Sequence, residues 1–400
     1  MASEHVVVLG GGYAGQMAAA RLAERCAGLG LTVVDASAEF VERIRLHQLA
    51  AGERMAVRPM RKMLPRGATF VHGRVVTWEP DARRVIVGCA GGGRRSLEYT
   101  ACVYALGSRS DVARLPGGAE HARVLDDPAA ARAIASDVAV LAARGGRVLV
   151  VGGGATGIEA AAELAERHPR LEVALATSGA FGAPLSAEGV AHVRAALRRL
   201  RVTVREHARV VALEDGAALV EGGHRIAYDL CLWGGGFRAP DLARQAGLPV
   251  DGSGRVRVDA TLRVPGRPEI LVAGDAAVVR ADDGSELRMA CATAMPLGVH
   301  AAEEIARARC GASPHAFRFA YAIRCMSLGR RDGLVQHVDT GDRPRPRVWT
   351  GWRGALVKEI VCRSTVLSIR TESRLRIPVY RWPVPPHGAR PLPMPATVEE

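Results

Sequence analysis

Paired cysteines are missing from this chain. Its eight cysteines (Cys26, Cys89, Cys102, Cys231, Cys291, Cys310, Cys325 and Cys362) form no C-x-x-C or C-x-x-x-x-C spacing. That excludes a zinc ribbon and a redox-active dithiol motif, and no metal site is expected. Scattered cysteines in a cytosolic chain read as buried small hydrophobes. No uncharged apolar run reaches the length of a membrane span. The opening MASEHVVV has an early Glu4, no basic leader and an immediate strand, so neither signal nor transit peptide is expected and the protein is placed in the cytoplasm. Aromatics make up only 4% of residues, and Ala, Val and Leu carry the apolar share of a chain that is 48% hydrophobic and 24% charged. Four hundred residues exceed what one core usually organises, so two or three domains are expected.

Lysine is almost absent: of 54 basic residues only Lys62 and Lys358 are lysines. The net charge of +13 is uneven, because residues 305–398 hold 17 basic and 5 acidic side chains. Such a segment suits nucleic acid, an anionic membrane or a solvated interface. There is no zinc finger, no RNA-recognition signature and no aromatic-basic interleaving, so nucleic acid is not expected as a partner.

Two stretches repeat. HVVVLGGGYAG (5–15) and RVLVVGGGATGIE (147–159) are both an apolar strand, a glycine turn and the start of an Ala-rich helix. Gly10, Gly12 and Gly15 match Gly152, Gly154 and Gly157 at an offset of 142 residues. In G-x-G-x-x-G the turn brings backbone N–H groups against a pyrophosphate, the last glycine lets helix and strand pack closely, and the helix N-terminus supplies positive potential. Strand before and helix after are the context that gives the motif its meaning. The next strand of the first copy ends in Asp35, where an acid accepts hydrogen bonds from ribose hydroxyls. The same offset reaches Thr177, so the second copy lacks that acid. Two dinucleotides are implied, and FAD with NADH or NADPH is the pair that works together: the nicotinamide gives a hydride and the flavin accepts it.

Further segments make the chain resemble the two-dinucleotide-binding-domain flavoproteins, in particular the type II NADH dehydrogenase and apoptosis-inducing-factor-like branch. VYALGSRSD (103–111) and CLWGGGFRAP (231–240) look like the family's two crossover strands, and EILVAGDAA (269–277) like its Gly-Asp motif. VHGRVVTWEPDARRVIV (71–87) looks like paired strands around a Pro-Asp turn. These motifs span residues 5–304. The implied fold is α/β: two Rossmann-like domains and a smaller C-terminal α+β domain. The FAD domain is split into 1–112 and 241–312, with the NAD(P) domain, 113–240, inserted. The C-terminal domain, 313–400, ends in a proline-rich tail from Pro378 that is expected to be extended, either packed across a partner or loose.

The resemblance implies flavin contacts at Gly10, Gly12, Tyr13, Ala14, Gly15, Asp35 and Ala36. Arg43 and Gln48 would run beside the cofactor, and Val75 would hold adenine through its backbone. Ala105, Gly107, Gly274 and Asp275 would follow at the strand ends. CATAMPLGVHAAEEIARARC (291–310) reads as a helix aimed at the flavin, with Met295 and Pro296 beside it and Pro296 in its first turn. For NAD(P)H the implied contacts are Gly152, Gly154, Ala155, Thr156, Gly157, Thr177 and Gly236. Glu159 would lie near the nicotinamide carboxamide; the plainer reading is a helix N-terminal acid. In FVERIRLHQLAAGE (40–53) Arg43 and His47 share a helix face, and His47 is a candidate proton donor that also reads as a structural histidine.

Two features depart from the family. No glutamine stands in CATAMPLG, where membrane type II enzymes carry part of a quinone site. No cysteine lies between Cys102 and Cys231, which disfavours sulfide:quinone chemistry. An NAD(P)H oxidoreductase passing electrons to a quinone or other planar acceptor is the main expectation. The alternatives are a flavin dehydrogenase or oxidase of one small metabolite with an idle or recycling second site, and a redox-sensing binding protein. FRFAYAIRCMSLGRRDGLVQHVD (317–339) resembles the family's C-terminal strands, turning at Gly329 and Gly333. GWRGALVKEIVCRSTVLSIR (351–370) reads as either a strand or an amphipathic helix carrying Leu356, Ile360 and Leu367, suited to peripheral membrane contact or to a homodimer interface. A homodimer is expected.

Overall fold

The repeat seen in the sequence is a repeat in space. The computed structural model describes residues 4–281 and 283–384. Strand His5–Leu9 and helix Tyr13–Arg25 recur, residue for residue at the same offset, as strand Arg147–Val151 and helix Ala155–Arg167. Each strand is the middle of a five-stranded parallel array. The first array runs Arg267–Val272, Ala101–Tyr104, His5–Leu9, Gly30–Asp35, Thr69–Glu79. The second runs Ala122–Val124, Leu230–Trp233, Arg147–Val151, Glu172–Ala176, Thr203–Arg205. Four strands keep one order in both, the central strand with its returning neighbour on one side and the next two strands on the other, while the outermost strand beside the returning one comes last in the first array and first in the second. Parallel strands covered on both faces need continuous apolar sequence, and Val6 to Leu9 are accordingly no more than 1% exposed.

The first array draws strands from both ends of a long interval, 5–104 and 267–272, whereas the second lies wholly within 122–233. Two short crossing strands connect them, Arg109–Ser110 and Phe237–Arg238, paired antiparallel. The Asp111 N–H donates to Gly236 O at 3.0 Å, and the Trp233 indole N–H to Asp111 O at 3.1 Å. On its far edge the first sheet continues antiparallel through Arg84–Cys89 and Arg94–Glu98, with the expected Pro80–Asp81 turn and a register shift at Val75–Thr77.

After helix Cys291–Arg309 and a coil, three antiparallel strands (Ile323–Ser327, Gly333–Val338, Pro344–Thr350) lead into helix Gly351–Leu375. The segment left open between strand and helix is therefore helical. Gly333 and Gly354 let sheet and helix touch: a Cβ on Gly354 would stand 2.3 Å from Gly333 O. The C-terminal helix joins the first unit through buried Arg21, whose guanidinium grips Glu372 Oε1 at 3.1 Å and also Glu303. The start of the tail departs from expectation. Tyr380 N–H donates to Glu372 Oε1 at 2.7 Å and the Trp382 indole to Arg318 O at 2.9 Å. Trp382 also stacks on Phe317 at 6.3 Å. Two aromatic rings among the prolines fasten this part to its own chain. Residues 385–400 lie outside the described residues.

Candidate active site

The first glycine turn is built by close approach. Gly10 has φ +105°, and a Cβ there would stand 2.3 Å from Ala105 O, at the end of the neighbouring strand. A Cβ on Gly15 would fall 1.8 Å from Gly10 O, so only glycine lets the helix settle on its own turn. Gly12, the helix N-cap, meets nothing within 4 Å. No side chain caps the helix and no acid lies in its first turn, which leaves its positive end and N–H groups free for an anion. The Asp35 carboxylate accepts from Gly11 N–H at 2.6 Å and Ser37 N–H at 2.7 Å. Burial pushes this carboxyl up, against those two amides.

The second turn has the same construction. Gly152 (φ +123°) lies under Gly234 O, 2.4 Å from where its Cβ would be; Gly157 approaches Gly152 O in the same way, at 2.0 Å; Gly154 faces open space. The helix again lacks both a side-chain cap and a first-turn acid. Each cradle thus fits a pyrophosphate: space where a Cβ would stand, a helix N-terminus without a side-chain cap and no acid in the helix's first turn.

One cavity of ≈ 1290 Å³ joins the two cradles. It exceeds the range usual for a single small ligand. Of the flavin-side residues, Gly10, Gly12, Tyr13, Ala14, Asp35, Ala36, Arg43, Val75, Ala105, Gly107, Gly274 and Asp275 line it; on the other side Gly154, Ala155, Thr156 and Glu159 do. Asp275 accepts from Ser108 Oγ at 2.7 Å, and burial raises its pKa. Arg43 sits at the crossover, bonded to Ser108 O and to Asp126 at 3.1 Å, over the Phe237 ring.

Several expected residues stand elsewhere. Gly15, Gly152 and Gly157 lie beneath their turns and shape the cradle without facing the cavity. Thr177 is turned behind the second turn, where a Cβ on Gly153 would be 2.5 Å from its Oγ1, and it does not line the cavity. Gly236 serves the crossover through its bond to Asp111. Gln48 faces away and accepts from Arg45 at 3.2 Å. Arg43 and His47 do not share one α-helix face: Arg43–Arg45 is a 3-10 turn and the α-helix runs Leu46–Ala50. Met295 and Pro296 are buried in the second turn of their helix, which starts at Cys291 and not near Pro296. Ala290 to Ala292 present the helix start to the cavity instead.

The densest chemistry surrounds Glu159. Its Oε1 accepts from Ser327 N–H at 2.9 Å and pairs with Lys358 Nζ at 2.9 Å. Burial pushes the carboxyl up, but Lys358, then His47 and the Ser327 amide, bring it below the usual carboxylate value. Burial likewise works against the Lys358 charge, and Glu159 raises its pKa overall. His47 Nε2 lies 3.3 Å from Ser327 Oγ. Burial, offset in part by Glu159 and reinforced by Lys358, lowers the His47 pKa to about 4. Sequence reasoning missed Lys358; the signal was its rarity in a chain that uses arginine nearly everywhere. Cys291, Cys325 and Cys362 also reach the cavity. Burial pushes all three thiols up, Cys291 and Cys362 to about 11, so they are neutral at pH 7.

Comparison with known proteins agrees with this geometry. The family model described as pyridine nucleotide-disulphide oxidoreductase matches residues 4–304. An NADH dehydrogenase-like protein of Mycobacterium tuberculosis is 31% identical over 317 residues, covering 74% of this chain and 78% of its own length. The type II NADH:quinone oxidoreductase of Staphylococcus epidermidis is 27% identical over 367 residues, 82% of this chain and 88% of that one. Among solved structures, NDH2 from Plasmodium falciparum in complex with NADH superposes with TM-score 0.79 at 12% identity, covering 93% of this chain and 96% of that chain.

Proposed function

The chain belongs to the pyridine nucleotide-disulphide oxidoreductase family and is an oxidoreductase with FAD and NADH as cofactors, and from that premise we propose that it carries electrons from NADH to a quinone. In this reading 1–112 with 241–312 form the FAD unit, 113–240 the NADH unit, and 313–400 the acceptor-facing unit. The single observation that carries the proposal is the continuous cavity that contains both cradles and then runs on between the start of helix Cys291–Arg309 and the C-terminal unit. There its walls are largely apolar (Met289, Ala290, Met326, Val361), which suits a planar hydrophobic acceptor. The quinone named for the Staphylococcus relative belongs to that class.

Bound FAD supplies hydride acceptance from the nicotinamide and onward transfer of electrons. The protein supplies alignment and exclusion of water. Gly12 and Gly154 leave room for the pyrophosphates, and the helix N-termini behind them stabilise the charge. Asp35, fixed by the Gly11 and Ser37 amides, binds ribose hydroxyls. Asp275 and Arg43 flank the flavin end. Glu159, oriented by Lys358 and Ser327, holds the nicotinamide end. His47, a neutral imidazole at pH 7, lies 3.3 Å from Ser327 Oγ, which itself donates to Glu159 Oε1 at 3.3 Å, and so helps to position Glu159. Thr177, which stands where the first copy has Asp35, does not line the cavity.

The C-terminal helix links this site to a surface. One face brings Lys358, Val361 and Cys362 to the cavity, while Trp352, Leu356, Ile360 and Leu367 are each at least half exposed on another. Arg353, Arg363, Arg370 and Arg374 belong to the same helix. An apolar stripe with basic neighbours fits the headgroup region of an anionic membrane, where a lipophilic quinone resides. Among the described residues no helix is long and apolar enough to cross a membrane, so the contact would be peripheral.

The test is steady-state oxidation of NADH with a short-chain quinone as acceptor. Parallel double-reciprocal lines, the signature of one substrate leaving before the other reacts, are expected. Turnover with a small metabolite and none with any quinone would overturn the assignment.

A further inference from the structure

A second group of ligand-type side chains lies away from the cavity, on the buried side of helix Cys291–Arg309. His300 and Glu304 stand one turn apart on that helix, on the same face. His315 returns to them from the coil that follows. One donor atom from each of the three lies within 4.8 Å of the others. Glu304 is fully buried, with Oε1 2.5 Å from His315 Nδ1 and Oε2 held by Arg263 Nη1 at 2.5 Å. Arg307 Nε is 3.7 Å from Oε1. The His300 and His315 rings are 4.6 Å apart, centroid to centroid. His300 is 2% exposed, yet its Nε2 has no hydrogen-bond partner among the described residues. A buried polar atom without a partner is costly and asks for an explanation.

We propose that His300, Glu304 and His315 bind a divalent transition-metal ion of the zinc type. Two imidazoles and one carboxylate are the donor set of such ions, whereas calcium and magnesium take oxygen ligands. The side chains divide the work. His300 contributes a nitrogen otherwise left unpaired. Arg263 binds the outer carboxylate oxygen and turns Oε1 toward the imidazoles, the orienting role that groups behind a metal ligand commonly have. Glu304 shares its single charge with Arg263, which keeps affinity moderate. His315 is 45% exposed on its side chain, giving the ion a way in and an open position for water. Once bound, the ion ties helix Cys291–Arg309 to the coil that runs on to the C-terminal unit. That coil is otherwise pinned here by His315 N–H to Glu304 at 3.1 Å and Phe317 N–H to Ala260 O at 2.7 Å.

The experiment uses untagged, FAD-loaded full-length protein, cleared with a chelator, dialysed against micromolar zinc chloride and assayed for bound zinc by mass spectrometry. A single zinc ion per chain is expected. His315→Ala, at a half-exposed position, should weaken binding at least about tenfold while FAD content stays at the parent's level. His300→Gln is the second variant, keeping a polar side chain of similar reach, and should do the same. Absence of bound zinc in the parent protein, or equal zinc affinity in the parent and both variants, overturns the proposal.

Discussion

At the scale of single residues the account turns on Glu159 and its lysine. A carboxylate at a buried position keeps its charge chiefly because an ammonium stands 2.9 Å away. Lys358→Met removes that partner, and breaking a buried pair costs about 3–5 kcal/mol. The double variant Glu159→Gln/Lys358→Met should recover most of that loss in denaturant unfolding, because no uncompensated charge remains. His47 gives a pH signature. Its folded pKa, about 4, lies below the ordinary value of 6.5. Between those values the unfolded chain binds the proton and the folded one does not, so stability falls as pH drops from 6.5 toward 4. A shift of that size corresponds to roughly 3 kcal/mol. His47→Gln should flatten that part of the stability–pH curve, which equilibrium unfolding at several pH values would show. Glu159 and His47 were both legible as candidates, because they stand near motifs. Lys358 was not: it is brought in by a helix two hundred residues away, and no periodicity reports a contact of that span.

At the scale of elements, glycines with different surroundings should respond differently. A Cβ at Gly12 or Gly154 meets no protein atom within 4 Å, so Gly12→Val and Gly154→Val should fold normally. The added side chain takes the space of a pyrophosphate. Gly12→Val should lower retained FAD, and Gly154→Val should keep FAD but weaken NADH, each by on the order of tenfold or more, about 1.4 kcal/mol. Flavin content after gel filtration and the NADH concentration dependence of flavin reduction read the two effects separately. Gly15→Ala and Gly157→Ala would instead press on backbone oxygens 1.8 and 2.0 Å away and should reduce soluble yield. The strand–turn–helix units were legible to the residue because glycine spacing and apolar runs are local signals. Pro296 was misplaced within its helix because an N-terminal proline is only a preference, and here the helix begins at Cys291. The nature of residues 351–375 stayed open in the sequence for a similar reason: β-branched residues and an intruding Arg363 blur a helical stripe that packing against the neighbouring sheet resolves.

At the scale of the whole molecule, two glycine cradles of one construction line a shared cavity. That repetition was legible because the copies keep a constant offset. The start of the tail was not, since its docking rests on two aromatic contacts that composition does not reveal. The basic excess of residues 305–398 acquires a place in the structure through the C-terminal helix. Protein mixed with vesicles containing anionic lipid should sediment with them at low salt and be released as salt rises. Leu356→Glu with Ile360→Glu should abolish the binding while leaving NADH-dependent flavin reduction intact. Loss of a dimer in the same variant, with no vesicle binding by the parent, would assign the face to self-association instead. The most direct test of the central claim is anaerobic mixing of the FAD-loaded protein with NADH while the flavin's visible absorption is followed. The two cradles working as a pair require rapid bleaching at a rate that saturates with NADH. A flavin that stays oxidised in correctly folded protein would contradict that claim.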